Sequence, residues 1–454
     1  MERNSIDLGT LDVSTLFRRM FFPTLFGMLS ISAVTAVDGI FIGHGVGSDG
    51  IAAVNICVPV MLLFTGFGLL MGVGCSVVAA VHISRSQARA ACINVTQAFG
   101  FVTVVTVATT ALIVIFAPQT ARAMGSSEHL LPMVVDYLQW FMPSMVFQLW
   151  CSIGLFIIRL DGSPRVAMWC SVVPAALNVV LDYIFIFPVG WGVRGAAFAT
   201  SLSVATGGVM VMAYLLFFAR TLRPERVKLS VKSLRLTLRN LGYQCRIGSS
   251  TLLGELTLAM LMYVGNVTFM RYLGDDGVGA FGVACYYTPF VFMVGNAIAQ
   301  SAQPILSYNY GAGNFERVWQ AGRLALRTAV LCGGIVMLVF MAVPRGLVDL
   351  FLGGDGAGGA AARIAADGLP YFASGFIFFV VNIAVIGYNQ SLERMAVSTS
   401  FALLRGALFL VPSFIIMPRV AGEAGIWAAM PVSEFLTTLS IIAYYGVRRM
   451  RRRA

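Results

Sequence analysis

The sequence predicts an all-α integral membrane protein of twelve transmembrane helices in two pseudo-symmetric six-helix lobes, and three observations lead there. The 454 residues are 58% hydrophobic and only 11% charged, with a mean hydropathy of +0.84. Soluble chains carry roughly a quarter charged residues. Apolar runs of about eighteen or more residues recur along the chain, each long enough for a hydrocarbon core of roughly 30 Å. The runs do not alternate with period two, which disfavours a β-barrel, and in lipid a backbone that must satisfy its own hydrogen bonds leaves helices.

Taken in order, the runs place helices at roughly 15–43, 53–81, 91–117, 130–158, 165–188 and 193–219, then 243–272, 278–306, 318–344, 363–387, 395–418 and 424–447. The acidic residues Glu2, Asp7 and Asp12 dilute the N-terminus, and no small-residue cleavage site stands out, so the first helix is expected to direct insertion. A basic segment follows the sixth helix. The expected organisation is an N-terminal lobe over 1–219, a basic cytoplasmic linker over 220–242, a C-terminal lobe over 243–447 and a basic tail over 448–454. Of 31 Lys and Arg, 24 fall on one side of this topology and 6 on the other, with Arg405 inside a helix. The bias places both termini in the cytoplasm. It also explains the net charge of +11 as topology, with some attraction to anionic lipid and no call for nucleic acid.

The halves repeat. Gly195-Ala-Ala-Phe-Ala-Thr-Ser-Leu-Ser203 aligns with Gly425-Ile-Trp-Ala-Ala-Met-Pro-Val-Ser433, and Tyr183-Ile-Phe-Ile186 with Ser413-Phe-Ile-Ile416, both at an offset of 230. Gly47-Ser-Asp-Gly50 resembles Gly274-Asp-Asp-Gly277 at an offset of 227. Six helices per repeat make these parallel repeats about an axis along the membrane normal, an arrangement of transporters that rock around a site between lobes.

Ionisable groups inside apolar helices cost several kcal/mol and call for a reason. Asp38, Asp182, Glu255 and Glu434 are four such carboxylates. Asp38, Asp182 and Thr200 each lie six or seven residues from the outer end of a helix, so all three sit roughly 9–10 Å below the outer surface. Asn178 precedes Asp182 by one turn on the same face. Together they offer hard oxygen ligands for Na⁺ or groups for a shared proton. At an offset of 230 the second half has Leu408, Pro412 and Met430 in place of Asn178, Asp182 and Thr200, so the ion site is expected in the first lobe alone. Glu255 and Glu434 either attract a cationic substrate, relay protons or pair with a neighbouring helix. Pro23 is expected to kink the first helix, and Met28 and Phe64 are candidates for an adaptable cavity wall. The eight cysteines form no CxxC pair and the three histidines are dispersed, so no metal beyond a possible Na⁺ is expected. No Walker motif, catalytic triad or HExxH appears, which argues against an enzyme or an ATP-driven pump.

Four stretches, Val37-Asp-Gly-Ile-Phe-Ile-Gly43, Asn178-Val-Val-Leu-Asp-Tyr-Ile-Phe-Ile186, Gly195-Ala-Ala-Phe-Ala-Thr200 and Gln303-Pro-Ile-Leu-Ser-Tyr-Asn-Tyr-Gly-Ala-Gly313, resemble the multidrug and toxin extrusion (MATE) family. The resemblance implies a multidrug antiporter of the bacterial inner membrane, exchanging drugs and organic cations for H⁺ or Na⁺, as a monomer without a cofactor. By that likeness Asp38, Asn178, Asp182 and Thr200 match the family's cation site, Pro23 its first-helix bend, and Glu255 an acid found in part of the family. The helix 10 acid of some members has no counterpart here. A lipid-linked precursor flippase of the same superfamily is the alternative; it would show a basic central cavity.

Overall fold

The structure is a computed structural model and describes residues 8–46, 48–225, 231–352 and 359–451. Arg3, Arg226, Lys228, Arg452 and Arg453 of the charge count, the acidic Glu2 and Asp7, and Gly47 of the repeat lie outside the described residues. Among the described residues every regular element is a helix. The first six spans are α1 (Val13–Gly45), α2 (Ser48–Ser84), α3 (Ala88–Ile115), α4 (Leu131–Leu160), α5 (Pro164–Ile186) and α6 (Gly192–Phe218). Then come α7 (Ser233–Gly274), α8 (Asp276–Gly311) and α9 (Phe315–Ala342). The tenth span, α10, is a bent pair, Ala360–Ala373 and Phe376–Ser391, meeting at 45°.

The last apolar helix runs 54 residues, from Met395 to Arg448. At 1.5 Å per residue that is far longer than one crossing. It breaks at Ala421 and Gly422, where Gly422 takes a φ of +56°. We therefore describe α11 as residues 395–420 and α12 as residues 423–448, which brings the spans to twelve. The α7–α8 turn is made the same way, by Gly274 at φ +65°, a backbone angle that a residue without a Cβ adopts at little cost. Pro23 lies inside α1 without ending it.

By contact the chain divides into two units, Met1–Gly248 with Pro304–Val318, and Ser249–Gln303 with Trp319–Ala454. In the first unit α1 packs on α5, α5 on α6, and α2 on α3 and α4. Small residues let these helices approach closely. A Cβ on Gly208 of α6 would meet the backbone of Phe147 in α4. The start of α7 belongs to this unit too. Gln244 donates to the Asn94 side chain of α3 at 3.2 Å, and Asn240 donates to Gln97 at 3.2 Å. The family-like stretch at the end of α8 has a structural task here. Asn309 donates to the Leu8 carbonyl at 3.1 Å and Arg317 to that of Leu11 at 2.6 Å, pinning the segment that leads into α1.

In the second unit, Phe269, Phe281, Phe372, Phe376 and Trp427 are each at most 2% exposed and form one aromatic cluster. Such rings contribute roughly 0.5–1.5 kcal/mol per pair beyond their area.

Candidate functional site

The three residues singled out by depth, and Asn178 one turn from Asp182, lie in the first unit, on three adjoining helices. α1 carries Asp38, α5 carries Asn178 and Asp182 one turn apart, and α6 carries Thr200. The carboxyl groups of Asp38 and Asp182 face each other at side-chain hydrogen-bonding range. Asn178 donates from Nδ2 to Thr200 Oγ1 at 3.3 Å, and that hydroxyl donates to the Ala196 carbonyl at 2.9 Å. Thr200 is thereby fixed with its remaining lone pair available, and Asn178 keeps its carbonyl oxygen.

The carboxylates are not satisfied in this way. Asp182 is fully buried, and neither of its oxygens, nor Oδ1 of Asp38, meets a hydrogen-bond donor among the described residues. Buried polar groups in folded proteins nearly always find partners, and leaving a carboxylate without one costs several kcal/mol. Three carboxyl oxygens with no donor leave acceptor positions to which a small cation or a proton could bind.

The same register continues one turn further toward the C-terminal end of α1. Ile42, Ile186 and Ala196 lie four residues beyond Asp38, Asp182 and Thr200 respectively, and they form a buried apolar layer, each at most 3% exposed. Below it, Tyr137 of α4 is 1% exposed and lies in the electrostatic neighbourhood of both aspartates. Sequence reasoning missed Tyr137. It lies six residues from Leu131 at the N-terminal end of α4, so the depth count that found the aspartates would have found it as well. Phe64 packs, half buried, on the cluster that contains Tyr137, and Met28 is buried on α1.

The second unit treats its acids differently. Glu434 of α12 accepts from Arg405 Nε at 2.7 Å and from Asn382 Nδ2 at 2.7 Å. Thr438 donates to Asn382 Oδ1 at 2.9 Å, and the Arg405 guanidinium stands 4.3 Å from the Phe379 ring centroid. Arg405 lies in a π-helical turn over Leu404–Phe409, a distortion that frequently marks functional positions. The ion pair is almost fully buried, so Glu434 carries no free charge. Glu255 of α7 is 8% exposed and has no charged or hydrogen-bonding partner among the described residues.

A model of the MatE family matches residues 23–184 and 251–415, which is most of the chain and both repeats. The chain belongs to the MATE family. Two curated relatives align over 96% of this chain. The FAD transporter of Shewanella oneidensis is 23% identical with 95% of its own length covered, and the multidrug export protein MepA of Staphylococcus haemolyticus is 22% identical with 94% covered. A crystal structure of a MATE protein in complex with MaL6 superposes with a TM-score of 0.89 over 98% of both chains at 21% identity. That likeness shows the fold. As a MATE protein the chain is a multi-pass membrane transporter rather than an enzyme.

Proposed function

We propose that this MATE protein is a secondary active exporter of organic, mainly cationic, compounds in the bacterial inner membrane, driven by antiport of H⁺ or Na⁺. The observation that carries the reading is the pair of facing carboxyl groups, a fully buried Asp182 and a half-buried Asp38, three of whose four oxygens are buried and meet no donor among the described residues. A coupling cation entering between them would have Thr200 Oγ1 and the Asn178 carbonyl as further oxygen ligands. Coupling requires that ion and drug favour different conformers, because a ligand of equal affinity for both shifts nothing. Pro23, where α1 lacks a backbone donor, is the hinge through which ion occupancy at Asp38 would reshape α1. Glu255, buried and without a partner among the described residues, is the acid of the second unit left to attract a cationic drug. Met28 and Phe64 are the first unit's own candidates for apolar contact with that drug. Both termini are cytoplasmic in this reading, and the protein works as a monomer.

The Shewanella relative favours a second reading, export of FAD or a similar anionic dinucleotide. Against it, Arg405 is already satisfied by Glu434, and the acids at positions 38, 182 and 255, wholly or half buried, have no basic partner among the described residues. The test is transport by the purified chain in proteoliposomes, with a pH gradient and a Na⁺ gradient imposed separately. A fluorescent organic cation should move against one of them. Movement of FAD under either gradient, with no movement of the cation, would replace the first reading by the second.

A further inference from the structure

The exposed face of α1 changes character along its length. Arg18 and Arg19 are exposed at its N-terminal end, and Phe22 and Phe26 follow Arg18 at one-turn intervals, 63% and 58% exposed. Beside them α5 begins with Pro164 and the exposed Arg165, and continues with Met168 and the exposed Trp169. The two helices close on each other at Gly27, where an added Cβ would touch Ser171. Between them lies a groove of about 420 Å³ lined by Phe22, Pro23, Phe26, Leu29, Met168 and Arg165 among others. That volume falls in the range of small-molecule sites, about 300–1,000 Å³. Its wall is hydrocarbon apart from one guanidinium. Pro23 has no N–H, so the Arg19 carbonyl lacks its intrahelical donor beside this groove.

Both helices span the membrane, and both carry their arginines at the same end. An occupant must therefore offer a long apolar body and a negative group at one membrane surface, where each basic residue attracts an anionic headgroup. We propose that the groove binds one anionic phospholipid of the leaflet at the N-terminal end of α1. An acyl chain lies along Phe22, Phe26 and Leu29, and the phosphate is held by Arg165. The site rests on α1 and α5 crossing the membrane, not on what the protein exports, so it stands or falls separately from the proposed function.

Native mass spectrometry of the purified full chain tests it, with equal amounts of phosphatidylglycerol and phosphatidylcholine supplied. One phosphatidylglycerol should be retained in preference to phosphatidylcholine. Arg165→Gln should cut that preference about fivefold, the effect expected of one basic residue at a membrane surface, and Arg165→Lys should keep it. Leu29→Trp, which fills the groove, should lower retention of both lipids. Equal retention of the two lipids by the unaltered chain would overturn the proposal, as would a preference that survives Arg165→Gln. A dimer that Leu29→Trp converts to monomer without changing lipid retention would show that a second copy occupies the groove, and would overturn it too.

Discussion

At the repeat offset of 227 residues, Asp38 of α1 corresponds to Gly265 of α7. The second unit fills the space of the missing side chain with a ring, since a Cβ on Gly265 would run into Phe281. Asp182 and Thr200 correspond to Pro412 and Met430, and Trp427 stands close to the latter, packed so tightly on Gly368 that a Cβ there would strike its indole. Two copies of one six-helix plan thus hold opposite contents at equivalent places. The first keeps oxygen atoms without partners, and the second keeps a dry aromatic cluster. Among the described residues the buried charges of the second unit are Glu434 with its partner Arg405, and Glu255. One fold can therefore carry a partly unsatisfied polar cluster in one copy and a packed aromatic one in the other.

The largest expected effect comes from removing the oxygens. Asp38→Asn and Asp182→Asn should each bring gradient-driven transport to background while membrane insertion is retained. Transport at the level of the unaltered chain in either variant would detach the ion site from this pair. The buried pair of the second unit should behave as a structural element. Arg405→Leu or Glu434→Leu alone should destabilise the protein by roughly 3–5 kcal/mol, because each leaves a charge uncompensated, and the double change should recover much of the loss. Thermal unfolding in detergent measures both. If the single changes leave stability intact but abolish transport, the second unit holds a functional charge and the contrast between the copies fails.

Trp427→Ala sharpens the same contrast. Opening the aromatic cluster should cost about 3–5 kcal/mol of stability and leave cation binding by the first unit unchanged in ²²Na⁺ or proton uptake. The smallest effect is expected at Thr200→Val, which removes the acceptor for Asn178 and one of the proposed ion ligands. A net hydrogen bond of about 1 kcal/mol corresponds to a severalfold weaker apparent ion affinity with maximal transport preserved.

Counting residues inward from helix ends found Asp38, Asp182 and Thr200, because a helix converts sequence position into depth at a fixed rise. Their lateral proximity follows from the packing of α1 on α5 and α5 on α6, to which the matching stretches of sequence gave only an indirect clue. Arg405 and Glu434 show the limit. Each was visible as a charge in an apolar run, yet they are 29 residues apart on different helices. Their pairing depends on helix rotation and on the π-helical turn at Arg405, neither of which the apolar pattern encodes. The hydropathy pattern separated α11 from α12 where backbone hydrogen bonding alone runs them together, since Pro418 and Gly422 mark the break in sequence. It did not show that the start of α7 and the end of α8 pack with the first unit. That depends on individual amide contacts, such as Gln244 with Asn94.

The depth of Asp38 has an electrical consequence. Seven residues separate it from Gly45 at the end of α1, about 10 Å at 1.5 Å per residue, or roughly a third of a 30 Å hydrocarbon core. A monovalent cation drawn to the pair from that end crosses about a third of the membrane field. One full crossing is worth about 2.3 kcal/mol per 100 mV, so the partial crossing contributes about 0.8 kcal/mol, several-fold in occupancy. With the termini cytoplasmic and the ion at this pair, as proposed, an inside-negative membrane voltage would load the aspartates even where the chemical gradient of the ion is flat.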